Sequence, residues 1–264
     1  MITGLLSTIA KTSAAQRTSI WRPTAVLSFL ASAFLMPALS HANVGRTPAT
    51  FGVSAHGGAL YTIPIWTPPG PNGLEPHIAL QYDSHGGDGD LGVGWSLTGI
   101  SAITRCNKTV AQDGTAAPIT LASSDGYCLD GERLRLVSGT YGASGSVYET
   151  EVENFEQVTL YGSAGNGPAY FEVKDRNGVT YEYGNGGNSQ VTPANTGTPW
   201  QWWLDKVTDP AGNTMTISYQ TANASGEVVP ATISWTPSSY GSSSYDNTIQ
   251  FAYTTDSAAA STYG

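Results

Sequence analysis

The sequence predicts a mostly β fold: antiparallel hairpins forming a curved sheet, or a sandwich-like part of a larger β shell, behind an N-terminal signal helix. Three observations predict it. The 264 residues include 31 glycines and 15 prolines, the composition of short strands joined by tight turns. Apolar residues alternate with polar ones in runs of four to eight, the period of a half-buried strand. No long apolar segment with a 3.6-residue period follows residue 42.

Residues 1–42 read as a secretory signal peptide. Lys11, Arg17 and Arg22 are their only charges, and "AVLSFLASAFLMPAL" (25–39) is an apolar run of h-region length. Ser40 and Ala42 supply small residues at the minus-three and minus-one positions, so cleavage is expected after Ala42. The competing reading is an uncut N-terminal anchor. Cleavage removes three basic residues and takes the formal charge from −9 to about −12. That balance excludes nucleic acid and anionic membrane surfaces as partners, because both need clustered Lys and Arg. It also leaves no segment expected to insert in a membrane. A β domain is expected over 43–220 and a β-rich continuation over 221–264. The closing "DSAAASTYG" carries no terminating element, so the sequence reads as truncated.

Along the mature chain, Tyr61, Ile63 and Ile65 alternate around Pro64, which predicts an edge strand or a stretch with one bonding side free. "PPGPNG" (68–73) is a turn. Ile78, Leu80 and Tyr82 mark a half-buried strand. In "GERLRLVSGTYGASGSVYETEVENFEQV" (131–158), Leu134 and Leu136 oppose Arg133 and Arg135. Glu149, Glu151 and Glu153 share a second strand's face. Pairing Arg133 with Glu151 and Arg135 with Glu149 fits one antiparallel register and predicts cross-strand ion pairs. The sharper alternative, a catalytic carboxylate pair, yields to a solvated strand face.

"FEVKDRNGVTYEY" (171–183) and "DKVTDPAGNTMTISY" (205–219) share a device: strand, Asp-x-x-Gly turn, strand. Asp175 and Asp209 suit the first turn position, and Gly178 and Gly212 the left-handed one. Two further strands are expected in "VVPATISW" and "TIQFAYT".

Four features bear on chemistry. Gly87, Gly89 and Gly92 match a G-x-G-x-x-G dinucleotide fingerprint, but two more glycines follow where a helix should receive the phosphates. Asp88 and Asp90 begin a calcium loop that then stops. The block is therefore read as architecture, and neither cofactor nor metal is assigned. Cys106 and Cys128, an even count behind an export signal, are expected to form a disulfide worth about 3 kcal/mol; two buried thiols are the alternative. Trp200, Trp202 and Trp203 form the one candidate ligand platform, for a sugar, against the alternative of core packing. No Ser-His-Asp or Cys-His spacing stands out, and no catalytic residue is assigned.

Several stretches together carry a resemblance: "YTIPIWTPPGPNGLEPHIALQYDSHGGDGDLGVGWSLTGISAITRC", "TVAQDG", "YCLDGERLRLVSGTYGASGSVYETE", "FEVKDRNGVTYEYG" and "WWLDKVTDPAGNTMTISY". They resemble the N-terminal domain of the Salmonella virulence plasmid protein B family. That domain also opens the B component of insecticidal toxin complexes and many Rhs/YD-repeat proteins. The resemblance covers about residues 51–255, and its most specific part is the block from Gly87 to Gly99. It implies a non-enzymatic scaffold, a β shell segment that houses or delivers a C-terminal effector. Its partners would be further YD-repeat or shell segments, and an effector or toxin-complex subunit. The alternative function is a surface carbohydrate- or receptor-binding β module. Localisation follows the signal: secreted or periplasmic. Relatives in toxin complexes usually lack such a signal, and cytoplasmic relatives are expected too.

Overall fold

The computed structural model describes residues 47–89, 91–186, 188–221, 227–239 and 244–254. The expected signal peptide and the closing "DSAAASTYG" lie outside them. Every described strand belongs to the unit of residues 49–264. No helix among the described residues is long and apolar enough to cross a membrane.

Four strands make a small antiparallel sheet: β1 (Thr50–Val53), β2 (Ala59–Pro64), β3 (Ala79–Asp83) and β4 (Trp95–Thr98), in that order. β2 lies between β1 and β3, so it is not an edge strand. Pro64 is its last residue and pairs with Ala79 of β3, while β1 stops opposite Thr62. The proline thus sits where one bonding side is free.

The curved sheet closes on itself. β5 (Ala102–Cys106), β6 (Gly126–Leu129), β7 (Glu132–Ser138), β8 (Val147–Thr150), β9 (Gln157–Tyr161), β10 (Tyr170–Lys174), β11 (Thr180–Tyr183) and β13 (Gln201–Thr208) pair in a ring, and the β11–β13 ladder completes an eight-stranded barrel. The two-residue β12 (Gln190–Val191) joins the first half of β13. Where β5 leaves β13, β14 (Thr214–Thr221) takes its place, followed by β15 (Val228–Pro237) and β16 (Tyr245–Gln250). β14 and β15 share one ladder across residue 220, so the segments on either side of it belong to one sheet.

Alternation decides what fills the barrel. Cross-strand partners Arg105–Tyr127, Tyr148–Val158, Leu160–Phe171 and Phe171–Tyr183 point the same way, into the lumen. Ile103, Tyr127, Leu134, Tyr148, Val158, Leu160, Phe171, Val173 and Trp202 are all at most 2% exposed. An eight-stranded barrel has an interior just wide enough for such side chains to fill.

The Asp-x-x-Gly hairpins form as their sequences predict. Asp175 accepts the amide N–H groups of Asn177 and Val179, and Asp209 accepts that of Asn213. Gly178 and Gly212 have φ of 80° and 84°. The two turns stand side by side, because β11 pairs with β13. The "PPGPNG" turn docks on the second hairpin and on β15: Asn72 donates to Asp209 at 2.9 Å, and the Trp235 indole donates to the Pro68 carbonyl at 3.0 Å.

The β7–β8 register is Leu134–Thr150, Arg135–Glu149, Leu136–Tyr148, as the parity argument requires. The expected ion pairs do not form. Arg133 instead pairs with Asp113 at 2.7 Å, at the end of the single helical turn α1 (Val110–Asp113), and Gln112 of that turn takes Glu151. Helix α1 folds over this face of the hairpin and supplies partners for Arg133 and Glu151.

Candidate functional site

The glycine block is a loop that re-aims the chain between β3 and β4. Gly94 donates to the Gly87 carbonyl and accepts from the Asp83 amide, closing the loop on its own backbone. A Cβ on Gly94 would lie 2.6 Å from the Tyr82 ring, and one on Gly99 would lie 2.0 Å from the His77 carbonyl oxygen; both residues have positive φ. After Gly92 comes the strand β4, so no helix N-terminus faces the glycines. Asp90 lies outside the described residues. Among those described, no group of three His, Cys, Asp or Glu side chains is placed to hold a metal.

One end of the barrel is organised by Arg105, which belongs to no motif of the sequence. Its Nε donates to Pro199 O at 2.9 Å, Nη1 to Ala122 O at 2.6 Å and Asp125 Oδ2 at 3.3 Å, and Nη2 to Asn166 O at 3.1 Å. Three loops are thereby tied to one guanidinium. Its Cζ stands 5.7 Å from the Tyr127 ring centre and 5.9 Å from that of Trp202. A buried guanidinium is stable here because its planar fork meets acceptors and aromatic faces together. Burial pushes the Tyr127 hydroxyl up to about 12, against the opposing pull of Arg105. A signal for Arg105 is present in the sequence all the same: Ile103 and Arg105 share one parity in "AITRC", a charge on an apolar face.

Cys106 and Cys128 lie on the outside of the same two strands, with Sγ atoms 2.09 Å apart and Cα atoms 5.9 Å apart. The three tryptophans do not share a surface. Trp202 is fully buried between Tyr127 and Phe171, with centroid distances of 5.9 and 4.9 Å. Trp203 points outward and stacks on Tyr219 at 5.9 Å. Trp200 is half-buried at the Arg105 end, where its carbonyl accepts the Arg105 amide. Core packing claims Trp202, and no sugar could stack on it.

The exposed aromatic surface lies elsewhere. Phe51 pairs with Tyr61, Tyr61 with Tyr82, and Tyr82 with Trp95, so one aromatic row crosses all four strands of the small sheet. Val53, Ile63, Leu80 and Leu97 share that face by alternation, while Thr50, Thr62, Gln81, Ser96 and Thr98 take the other. At the β4 side Leu97 packs against the barrel core. At the β1 side the face is bare: Phe51 is 74% exposed, Val53 68% and Tyr61 39%. A contiguous uncovered apolar face next to a free strand edge is the usual mark of an interaction surface.

Compared with known proteins, residues 53–263 match the family described as Salmonella virulence plasmid 65kDa B protein. The chain belongs to that family. Among curated proteins of the virulence plasmid B family, the mono(ADP-ribosyl)transferase SpvB of Salmonella typhimurium (strain 14028s / SGSC 2262) is 26% identical over 167 residues. That alignment covers 57% of this chain and 28% of the Salmonella protein; the Salmonella dublin protein gives the same values. The chain thus spans well under half the length of these relatives. The solved N-terminal domain of the effector protein SpvB from Salmonella typhimurium strain LT2 superposes with a TM-score of 0.53 at 21% identity, over 68% of this chain and 66% of that one. The crystal structure of TcdB2-TccC3 superposes with a TM-score of 0.59 at 15% identity, over 72% of this chain and 10% of that one. These likenesses establish a shared fold.

Proposed function

We propose that this chain is a non-enzymatic scaffold segment of a secreted toxin-like YD-repeat protein, a length of β shell that houses or delivers a C-terminal effector carried by another segment. Export would use the signal of residues 1–42. The observation that carries the reading is the half-covered aromatic face of the β1–β4 sheet on a filled barrel. At the Arg105 end the barrel interior is packed with side chains, and the small sheet exposes Phe51, Val53 and Tyr61 where a further layer would bury them. Family membership supports it, as does the shared fold with an effector's N-terminal domain and with part of TcdB2-TccC3. On this reading the mono(ADP-ribosyl)transferase activity named for the relatives lies outside the 28% of their length that this chain matches.

The experiment has two readouts. Purified protein incubated with labelled NAD and acceptor proteins should transfer no label; transfer above a heat-denatured control would overturn the reading. A separately expressed YD-repeat shell segment should co-elute with the chain, and Phe51→Ser with Tyr61→Ser should abolish co-elution without moving the melting temperature. Co-elution unaffected by the double variant would refute the assignment of this face.

A further inference from the structure

At the end of the barrel opposite Arg105 lies a cavity of about 530 Å³. It forms where β13 parts from β5 and takes on β14, under the segment that contains Asn72–Ile78. Its size falls within the range of small-ligand sites. Val173, Leu204, Val207, Ile217 and Ile233 supply an apolar wall.

The rim is one-sided in charge. Glu75, Asp130, Glu156 and Asp209 line the cavity, and no Lys or Arg does; His77 is the single basic side chain there. The hydroxyl network at the mouth is one-sided too. Ser101 has one proton, and it goes to Asp130 Oδ2 at 2.6 Å, because a carboxylate only accepts. The Tyr183 hydroxyl, 2.9 Å from Ser101 Oγ, must then be the donor of that pair. Asp130 also takes the Ala102 amide, and Glu156 takes the Asn154 side-chain amide. The polar end therefore offers an incoming group mainly lone pairs and negative charge. The rings of Tyr181 and Tyr183 stand beside it, and ring faces attract cations.

We propose that this cavity binds a small amphipathic cation, its apolar body against the Val207–Ile217–Ile233 wall and its charged nitrogen at the Asp130–Glu156 rim. The site is independent of the scaffold reading, since it concerns only the interior of this fold. An anion would meet four carboxylates, and a neutral apolar molecule would leave the rim unused.

Calorimetry on the full chain at low salt, with octylammonium, octanol and octanoate as probes, tests it. Octylammonium should bind about tenfold tighter than octanol, equivalent to roughly 1.4 kcal/mol, and octanoate should give no heat. Salt should erode the ammonium advantage and leave octanol unchanged. Asp130→Asn with Glu156→Gln should make the ammonium and the alcohol equal; Asn suits the left-handed φ of 47° at position 130. Location is read separately by NMR. Met215 lines the cavity and is the only methionine among the described residues, so its labelled methyl should shift on saturation. Equal affinities for the three probes, or binding that leaves the Met215 methyl unmoved, would overturn the proposal.

Discussion

The Arg105 guanidinium meets the Asp125 carboxylate at 3.3 Å with side-chain exposures of 0% and 3%. The pair closes one end of the barrel, and Arg105 also satisfies three loop carbonyls. Replacing it removes more than a charge. Arg105→Met should cost about 3–5 kcal/mol, because acceptors from three loops lose their donor in a buried setting. Arg105→Lys should recover only part of this, since one ammonium cannot reach four divergent acceptors. Chemical denaturation of the three proteins measures the series. A lysine variant as stable as the parent would show that charge alone, and not the fork geometry, closes the barrel.

Three glycines of the block from Gly87 to Gly99 make a graded series. Gly92 has φ of 93° and open space where a Cβ would go; Gly94 adds the Tyr82 ring at 2.6 Å and the Asp83 carbonyl at 2.8 Å; Gly99 adds the His77 carbonyl at 2.0 Å. Gly92→Ala should cost about 1 kcal/mol from backbone strain alone. Gly94→Ala should cost more, and Gly99→Ala most, because its Cβ would overlap backbone far more deeply, at 2.0 Å against 2.8 Å. Thermal melts rank them; Gly92→Ala as damaging as Gly99→Ala would mean that the loop's role is not this close approach.

The strand pattern, both Asp-x-x-Gly hairpins and the β7–β8 register were legible, since each depends on residues close in sequence. Closure of the barrel was not. It rests on β5 and β11 flanking opposite edges of β13, and the β5–β13 ladder joins residues about 100 apart, which no local period reports. Alternation puts Trp202 and Trp203 on opposite faces of β13, but which of them meets the core depends on that closure. The aromatic row went unread for the same reason: Phe51, Tyr61, Tyr82 and Trp95 come from four strands and meet only through pairing. Arg133 read as a partner for Glu151 because nothing local shows that α1 folds back over the hairpin.

The Cys106–Cys128 bridge joins neighbouring strands across a sequence separation of 22. A loop of that length is worth about 3 kcal/mol through the unfolded state. Reduction, or replacement of both cysteines by serine, should lower the melting temperature by about 6–12 °C at the usual 2–4 °C per kcal/mol for this size. Spectra should stay native below the transition, because the barrel ladder does not depend on the bond. Unchanged melting after verified reduction would remove the bridge from the stabilising set.

Asp205 gives the fold a pH dependence of its own. The ladder pairs Glu182 with Lys206 and then Tyr183 with Leu204, so Asp205 is the extra residue of a β-bulge. The bulge turns its carboxylate beneath the loop at 184–186, where the Asn185 amide donates at 3.1 Å. Burial pushes its pKa from 3.8 up to about 6; the Asn185, Gly186 and Gly184 amides oppose the rise, and the Glu182 charge adds to it. A carboxyl group with a folded pKa above its unfolded one favours the fold when protonated. Below about pH 4 it is protonated in both states, and its contribution is whole. Between about 4 and 6 the unfolded chain ionises ahead of the folded one, and stability falls by an amount on the order of 2 kcal/mol. Above about 6 both states are ionised and the loss is complete. Asp205→Asn keeps an oxygen for the amides and removes the ionisation. Urea unfolding from pH 4 to 7 should therefore show the variant gaining on the parent across that window and holding its gain above it. Parallel curves for the two proteins would mean that the bulge leaves Asp205 solvated and its ionisation uncoupled from folding.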